Sequence, residues 1–525
     1  MKVILAGYNL DVENIKEIKK ALFEVKSYLE SKKQTKKGKD LLDKITTLLE
    51  KNSLTPETIS AAYARISRDP RPVNELREIA RQEVEKARKS NVNIIFGLGH
   101  SSIAEHAVFN MDIIGVSRYV VEEIERFRLC SYTEKSQRYV LFKDDYVSPK
   151  EIRNSPYMEL FKETIKLQND SYYKFFEKLK KYFLENNPNL AREKKSKITL
   201  ENLAKEDARY VISLATETQL GMTINARNLE LIIRRFASHP LSEVQELGEK
   251  LCQAVKDIAP SVIKYTQPTE YFKNTREEIK MKSEKIINSI KLGTFELSDK
   301  NRFGKLPMDV KLINYSNQGD KILIASLLHS VSNKSMEECL SIANSMDEKQ
   351  KKEFLKTAFK YIKSYDAVLR EFENVDLIFE LIVSASCFAQ LKRHRMTTIL
   401  SQDYNPDLGY VIPQSIVEAG MEKEFKRMIG LTNETYYKIK KHTPLAAPYI
   451  LTNAHQKRVL LKANAREMYH ISRLREDKEA QWEIRDKAQK IIKLAKEKFP
   501  LAFLLACGKD KFEEEYNKLF KSSQL

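Results

Sequence analysis

Two blocks of sequence occur twice in this chain, in the same order, and this repeat limits the folds that the chain can adopt. "IERFRLCS" at 124–131 has a counterpart 267 residues later in "LKRHRMTT" at 391–398. "INARNLELIIRRF" at 224–236 has one in "ANAREMYHISRLR" at 463–475, with the Asn-Ala-Arg triplets 239 residues apart. Repeats in a fixed order indicate copies of one structural unit, and 525 residues are enough for two. We therefore predict a tandem duplication of one domain.

The spacing of apolar residues predicts a helix-rich α+β chain in three parts. A first domain spans 1–272, a polar, lysine-rich linker spans 273–306, and a second domain spans 307–525. Each domain opens with a short apolar strand, "MKVILAGY" or "MDVKLINY", followed by helical patterns. The most apolar stretch, "LIFELIVSASCFAQL" at 377–391, is too short to span a membrane, so we expect a buried helix there.

The net charge of +18 favours anionic partners such as nucleotides. Much of it comes from the lysine runs "KKQTKKGK" (32–39) and "REKKSK" (192–197), a pattern more typical of solvated loops than of binding sites. No RNA-binding motif with interleaved aromatic residues accompanies them, so nucleic acid is not the expected partner, although the charge leaves it open. The five cysteines form no C-x-x-C pair, and no stretch is typical of a signal peptide or membrane span. The sequence predicts a cytoplasmic protein with no metal site and no membrane partner.

The segment "RFRLCSYTEKSQRY" at 126–139 concentrates arginine and hydroxyl side chains at the end of a predicted helix. Arginine keeps its charge and offers a planar fork of donors, which suits the binding of a phosphate or a planar base. The segment resembles the R-H-R-x-x-S-x-N-E-x-S-x-R-Y signature of the flavin-dependent thymidylate synthases, the ThyX family. Phe127 and Thr133 replace the histidine and the asparagine of that signature. Seven of its nine fixed positions match, namely Arg126, Arg128, Ser131, Glu134, Ser136, Arg138 and Tyr139.

Further blocks of both halves resemble the same family. The first half contains "ARIS" (64–67), "GHSSIAEHAVF" (99–109) and "ARYVISL" (208–214), and the second keeps "QLKRHR" (390–395) and "NAREMYHISRLREDKEAQWEI" (464–484). The substrate loop of the second half differs, since Ser401, Asp403 and Asn405 stand where Glu, Ser and Arg belong. Pro448 stands where the first half has Arg209. The resemblance implies two α+β domains, each with a small, mostly antiparallel sheet and long helices.

The resemblance implies an FAD-dependent thymidylate synthase. Such enzymes convert dUMP to dTMP with methylenetetrahydrofolate and hydride from reduced flavin, and NADPH is the expected reductant. No protein thiol is needed, so Cys130 is expected to be a bystander. Arg475 and Ser136 are the implied catalytic residues, with Arg475 stabilising negative charge on the uracil ring. The implied substrate-binding residues are Glu134, Ser136, Gln137, Arg138 and Arg209 from the first half, and Gln390, Arg393 and Arg475 from the second.

The resemblance also implies flavin-binding residues in both halves. The first half would contribute residues of the "ARIS" and "GHSSIAEH" blocks, and each half would contribute arginines of its R-x-R pair and residues of its Asn-Ala-Arg triplet. These residues are Ser67, His100, Ser102, Glu105, Arg126, Arg128, Asn225 and Arg227 in the first half, and His394, Arg395, Asn464 and Arg466 in the second.

Each half keeps a different part of the family's site. In the family, sites form between subunits of a homotetramer. The first-half counterparts of Gln390, Arg393 and Arg475 are Glu123, Arg126 and Arg235. We expect a composite site between the halves, a degenerate reciprocal site, and a homodimer that imitates the tetramer. Phe127 and the altered second loop leave two alternatives open. One is an inactive nucleotide- or RNA-binding relative, and the other is a flavin-dependent uridine methyltransferase acting on RNA.

Overall fold

The computed structural model describes residues 1–31, 40, 43, 54–142, 144–289 and 309–520. These residues form two compact units. The first unit contains residues 1–136, 145–156 and 215–289, and the second contains residues 137–142, 144, 157–214 and 309–520. No helix in these described ranges is long and apolar enough to cross a membrane.

The first unit combines a four-stranded antiparallel sheet with helices. Its strands are β1 (Lys2–Tyr8), β2 (Val108–Ser117), β3 (Ser131–Glu134) and β4 (Glu217–Asn225), in the order β1-β2-β4-β3. Its helices are α1 (Val12–Ser31), α2 (Glu57–Arg65), α3 (Val73–Gln82), α4 (Val84–Val92), α5 (Arg118–Glu125), α6 (Lys150–Arg153), α10 (Ala226–Ala237), α11 (Ser242–Val255) and α12 (Glu270–Ser289). A π-helical turn (Asn93–Gly97) and a 3-10 turn (Ser101–His106) lead into β2.

Strand β2 shows the alternation of a strand with one buried face. Phe109, Met111 and Ile113 are buried, whereas Asn110 and Asp112 are exposed. One face of the strand is therefore apolar and packs in the interior, and the other face carries polar side chains that are exposed.

The second unit has its own four-stranded antiparallel sheet. Its strands are β5 (Val310–Tyr315), β6 (Asp376–Ser384), β7 (Thr398–Ser401) and β8 (Gln456–Asn464), in the order β5-β6-β8-β7. Its helices are α7 (Met158–Asn186), α8 (Pro188–Ala191), α9 (Lys194–Ala208), α13 (Gly319–Ser330), α14 (Met336–Ser345), α15 (Glu348–Phe359), α16 (Ala385–Leu391), α17 (Gln414–Glu418), α18 (Glu422–Lys440), α19 (Ala465–Arg475), α20 (Trp482–Lys498) and α21 (Phe512–Phe520).

The two sheets repeat the same register. Ser131 of β3 pairs with Thr223 of β4, and Thr398 of β7 pairs with Lys462 of β8. These pairs reproduce the 267- and 239-residue offsets of the sequence repeat. Gly115 is an extra residue of the first copy, with a left-handed φ of +76° where the β2 ladder shifts register. Strand β6 passes the corresponding point without a shift.

The prediction of one buried helix over 377–391 is wrong. The stretch forms strand β6 up to Ser384 and helix α16 from Ala385. Because both elements are largely buried, most of their residues are apolar, and a long, mainly apolar run does not reveal where a strand ends and a helix begins. Ser384 makes the boundary, since its hydroxyl accepts a hydrogen bond from the backbone N–H of Cys387 at 3.1 Å and caps the helix.

The units do not follow the two halves of the sequence, because residues 157–214 pack with the second half. Helix α7 contributes aromatic side chains to a core shared with α18, where Phe175 stacks on Phe425 with ring centroids 6.1 Å apart. Gln168 of α7 donates to the Ile450 carbonyl at 2.9 Å. Contacts between residues so distant in sequence leave no periodic signal, and this explains why the sequence alone did not indicate the interleaving.

Two predicted polar segments fall partly outside the described residues. Of the linker 273–306, residues up to Ser289 belong to α12, none of whose residues is buried, and 290–308 lie outside the described ranges. The lysine run 32–39 also lies outside them, and the run 192–197 is mostly exposed at the start of α9.

Candidate active site

Arg475 ends helix α19 and is held by Gln390 and His394, which lie at the end of α16 and in the turn after it. Its Nη1 donates to Gln390 Oε1 at 3.0 Å, and its Nη2 donates to the Gln390 carbonyl at 3.1 Å. Its Nε donates to His394 Nε2 at 2.9 Å. The structure therefore brings together three residues that were predicted from two separate second-half motifs.

Positive charge accumulates around Arg475. Burial, followed by the charges of Arg393 and Arg138, lowers the pKa of Arg475 to about 10. The guanidinium of Arg475 still carries its proton at neutral pH. The positive charges of Arg475, Arg393 and Arg138 therefore act on one another. Such an arrangement favours the binding of an anion, because like charges at close range destabilise one another until a counter-charge arrives.

Arg138 belongs to the first-half substrate loop but lies in the second unit. Its Nε forms an ion pair with Glu206 at the end of α9, and its Nη2 donates to the Glu479 carbonyl at 3.2 Å. The pair with Glu206 fixes the guanidinium and offsets part of its charge. The sequence predicted Arg138 but not its partner, which has no motif of its own.

Asn453, a residue of the second half, forms hydrogen bonds with two predicted substrate-binding residues of the first half. Its Nδ2 donates to Gln137 Oε1 at 3.1 Å and to the Arg209 carbonyl at 2.9 Å. All three residues are buried. Asn453 was not predicted, because "LTNAHQ" belongs to no motif.

His394, a predicted flavin-binding residue, is buried. Burial, then the charges of Arg475 and His470, hold the pKa of His394 well below its usual range. The ring is therefore neutral and accepts the hydrogen bond from Arg475 through Nε2. Its observed contact is with the arginine predicted to be catalytic.

The other flavin candidates of the second half have structural partners or face solvent. Asn464 Oδ1 caps α19 by accepting from the Glu467 N–H at 2.9 Å. Arg466 donates from Nε to the Val368 carbonyl at 3.0 Å and pairs through Nη1 with Glu373 Oε1 at 2.9 Å. Arg395 and Arg393 are exposed, and Arg393 Nε donates to the Ala389 carbonyl at 3.2 Å.

The first unit contains a cavity of about 230 Å³ beside the "GHSS" turn. Arg227 reaches the cavity and pairs with Glu105 at 2.5 Å. Ser101 lines the cavity, whereas Ser67, His100 and Ser102 are exposed residues outside its lining. The lining includes part of a π-helical turn, a feature that is frequent at functional sites. The lining residues are Ile95, Phe96, Gly99, Ser101, Ala104, Arg227, Glu230, Val262 and Tyr265.

Asn225 has the same local role in the first unit as Asn464 in the second, since its Oδ1 caps α10 by accepting from the Asn228 N–H at 3.0 Å. Arg126 is exposed and pairs with Glu123 at 2.9 Å, and Arg128 is also exposed. Both arginines are exposed at the surface, whereas the asparagine caps the helix.

The first-half counterpart of Arg475 has different surroundings. The guanidinium carbon of Arg235 lies 5.7 Å from the ring centroid of Phe127 and 5.1 Å from that of Phe272 on α12. Burial, then the charges of Arg276 and Arg126, lowers the pKa of Arg235. Aromatic faces therefore take the place of the glutamine and histidine acceptors that hold Arg475. Phe127 departs from the family signature in the sequence, whereas no motif indicates Phe272.

Glu134 is buried in the first unit and forms an ion pair with Arg118. Thr218 Oγ1 also donates to Glu134 Oε1 at 3.5 Å. Ser136, two residues further on, is half-buried at the end of this stretch of the first unit. Arg118 was not predicted, because a buried cation at a helix start has no periodic signature.

The family model described as thymidylate synthase complementing protein matches residues 47–261 and 311–501. A flavin-dependent thymidylate synthase of Clostridium tetani is 32% identical over 219 residues, covering 41% of this chain and 83% of that protein. A UPF0159 protein of Chlamydia pneumoniae is 23% identical over 411 residues, covering 75% of each chain. A UPF0159 protein of Thermoplasma acidophilum is 23% identical over 477 residues, covering 81% of this chain and 90% of that protein.

The matches agree with the two sheets of identical strand order. One matched segment contains β2, β3 and β4, and the other contains β5 from its second residue together with β6, β7 and β8. Since the two matched segments together cover more than half of the sequence, the chain belongs to the thymidylate synthase complementing protein family and carries two ThyX-like domains.

Proposed function

We propose that this chain is an FAD-dependent thymidylate synthase that makes dTMP from dUMP with methylenetetrahydrofolate and NADPH. The main support for this proposal is the arrangement of charged side chains around Arg475. Arg138 comes from the first-half substrate loop, Arg393 and Arg475 come from second-half motifs, and the charges of Arg138 and Arg393 both act on Arg475. The relatives named flavin-dependent thymidylate synthases support the same function.

In this proposal Arg475 acts on the uracil ring. Gln390 and His394 engage three of its five N–H groups and leave two for a ligand. Donors fixed in this way stabilise negative charge on a carbonyl oxygen of the ring, and this polarisation raises the electron density at carbon 5 before carbon 5 bonds to the incoming methylene. Arg138, Arg209 and Arg393 supply the charge that binds the phosphate of dUMP.

Glu134 and Ser136 precede Arg138 in the same loop and remain predicted substrate contacts. Glu134 is paired with Arg118, so binding a ligand through this carboxylate requires that the pair open or that Arg118 share it. Ser136 keeps its predicted catalytic role in this proposal as a hydroxyl donor to the nucleotide.

The cavity of the first unit supports flavin binding. Arg227 offers a cationic donor, and Phe96 and Tyr265 offer ring faces. Its volume of about 230 Å³ lies below the ~300–1,000 Å³ typical of ligand cavities, so it suits one ring system of the dinucleotide. Reduced flavin, when bound, supplies the hydride that converts the transferred methylene into a methyl group.

The test is reconstitution with FAD and assay of dTMP formation from dUMP, methylenetetrahydrofolate and NADPH. Arg475→Ala and Arg138→Ala are each expected to lower kcat by about 10²–10³, the loss typical of a removed charge-stabilising donor. Arg235→Ala is the matched control and is expected to leave turnover within about twofold. An equal loss in Arg235→Ala contradicts the division of roles between the halves.

A second candidate is a nucleotide-binding relative without turnover, favoured by the aromatic contacts that enclose Arg235. Wild-type protein that binds dUMP and FAD but forms no dTMP supports this candidate over the enzyme. We also propose a homodimer that imitates a tetramer of single-domain subunits. Light scattering is then expected to give twice the 61.1 kDa chain mass.

A further inference from the structure

A buried carboxylate and a buried imidazole lie behind Arg475. Glu467 is on the first turn of α19, and its Oε1 is 3.3 Å from His394 Nδ1. His394 is 2% exposed and Glu467 is 8% exposed. Neither of these two atoms has another hydrogen-bond partner among the described residues.

The contact with Arg475 identifies the tautomer that His394 adopts. A neutral imidazole has one acceptor nitrogen and one N–H. Nε2 is the acceptor, because Arg475 Nε donates to it at 2.9 Å. The proton therefore lies on Nδ1, the nitrogen that faces the Glu467 carboxylate, at a distance that a small approach converts into a hydrogen bond.

A metal ion is the competing explanation. His394, Glu467 and His470 are the only group of described residues with ligand atoms close enough to hold a metal, all within 4.8 Å of one another. The lone pair of the neutral His394 ring already accepts from Arg475, so the ring has none left for a metal. A divalent cation here would also lie beside the Arg475 guanidinium. The contacts favour a chain of hydrogen bonds over a metal site.

We propose that His394 and Glu467 are positioning residues for Arg475. Glu467 holds the Nδ1–H tautomer of His394, this tautomer presents Nε2 to Arg475, and Gln390 fixes the other side of the guanidinium. The orientation of the guanidinium, and with it the two N–H groups that remain, is thereby fixed. This inference rests on the proposed function for what Arg475 then does, but the chain of contacts stands without it.

The first unit supplies an internal comparison. Phe127 and Asn228 occupy the positions that correspond to His394 and Glu467. Asn228 donates to Asn225 Oδ1 at 2.8 Å, and Arg235 lies over the Phe127 ring. Without the imidazole and the carboxylate, the arginine of the first half has no acceptor at this point. The combination of Arg475, His394 and Glu467 therefore has no equivalent at the corresponding positions of the first copy.

The first experiment measures the tautomer directly and needs neither flavin nor turnover. Nitrogen-15 NMR of histidine-labelled wild-type protein, with His394 assigned by the His394→Gln variant, is expected to show a neutral ring protonated at Nδ1. Glu467→Leu is expected to shift the ring toward the Nε2–H form, whereas Glu467→Gln keeps an acceptor and the Nδ1–H form. A wild-type ring protonated at Nε2, or a charged ring at pH 7, overturns the proposal.

The second experiment separates positioning from stability. His394→Phe reproduces the first-half residue and is expected to lower kcat about 10²-fold with little change in the Kd for dUMP, because the phosphate-binding arginines are untouched. His394→Gln restores an acceptor and is expected to recover at least a tenth of the activity. Turnover of His394→Phe within threefold of wild type contradicts the proposal. Wild-type protein that shows the Nδ1–H form but makes no dTMP contradicts the proposed function alone.

Discussion

Asp207, at the end of α9, is a carboxylate buried inside the second unit. Its Oδ2 accepts from Ser415 Oγ at 2.6 Å, and its Oδ1 accepts from Trp482 Nε1 at 2.9 Å. Burial raises the pKa of Asp207 to about 6 despite these two donors. The charged form is thus less stable in the folded protein than in water, even though each oxygen has a partner.

This pKa predicts how stability changes with pH. The folded value of about 6 exceeds the ordinary value of 3.8, so the folded state binds more protons between about pH 4 and pH 6. The free energy of unfolding therefore falls as the pH rises through this window, by roughly 3 kcal/mol from this residue. Asp207→Asn keeps both hydrogen-bond partners and removes the titration.

Urea unfolding followed by fluorescence of Trp482, the only tryptophan, measures the effect. The unfolding free energy of wild type minus that of Asp207→Asn is expected to decrease between pH 4 and pH 7. A difference that stays constant across this range shows that Asp207 remains ionised throughout.

Residues of the site divide into those with a motif and those without. Gln390, Arg393 and Arg475 could be predicted, because the resemblance fixes their spacing. Asn453 lies outside the family blocks, and Glu467 lies inside one. The contacts of both residues could not be predicted, because the fold brings their partners to them from other elements. A side chain that binds another protein group instead of a ligand leaves no pattern in a single sequence.

Helices α5 and α16 begin in the same way in the two units. Ser117 donates from its hydroxyl to Glu243 Oε2 at 2.8 Å, and Ser384 donates from its hydroxyl to Glu483 Oε2 at 2.5 Å. Each serine also caps its helix. In the second unit this junction supports α16, which carries Gln390 toward Arg475. The repeat predicted two copies of one domain, but it did not predict this buried serine–glutamate contact.

Ser384→Ala is expected to destabilise the protein by about 2–4 kcal/mol. Loss of the cap contributes about 1 kcal/mol, and a buried carboxylate that loses a donor contributes about 1–3 kcal/mol more. Ser335→Ala is the matched control, because Ser335 caps α14 at an exposed position and is expected to cost only about 1 kcal/mol. Equal losses in urea unfolding of the two variants would mean that the contact with Glu483 adds no stability.

At the scale of the whole molecule, the two sequence halves and the two compact units are different divisions of the chain. The polypeptide crosses between units after Ser136 and again around residues 145, 157 and 215. The second unit therefore contains α7 and α9 from the first half, together with Arg138 and Arg209. Sequence repeats show which segments correspond to each other, but they do not show which segments share a core.

Because α7 supplies part of the core of the second unit, a first-half substitution should weaken the unit that contains Trp482. Phe175 is fully buried and stacks on Phe425 of α18. Phe175→Ala is expected to lower the unfolding free energy reported by Trp482 fluorescence by about 3–5 kcal/mol, since it leaves a cavity among aromatic side chains. Lys178→Ala, at an exposed position of the same helix, is the control and is expected to change it by less than about 0.5 kcal/mol. A Trp482 transition that is unaffected by Phe175→Ala contradicts the shared core.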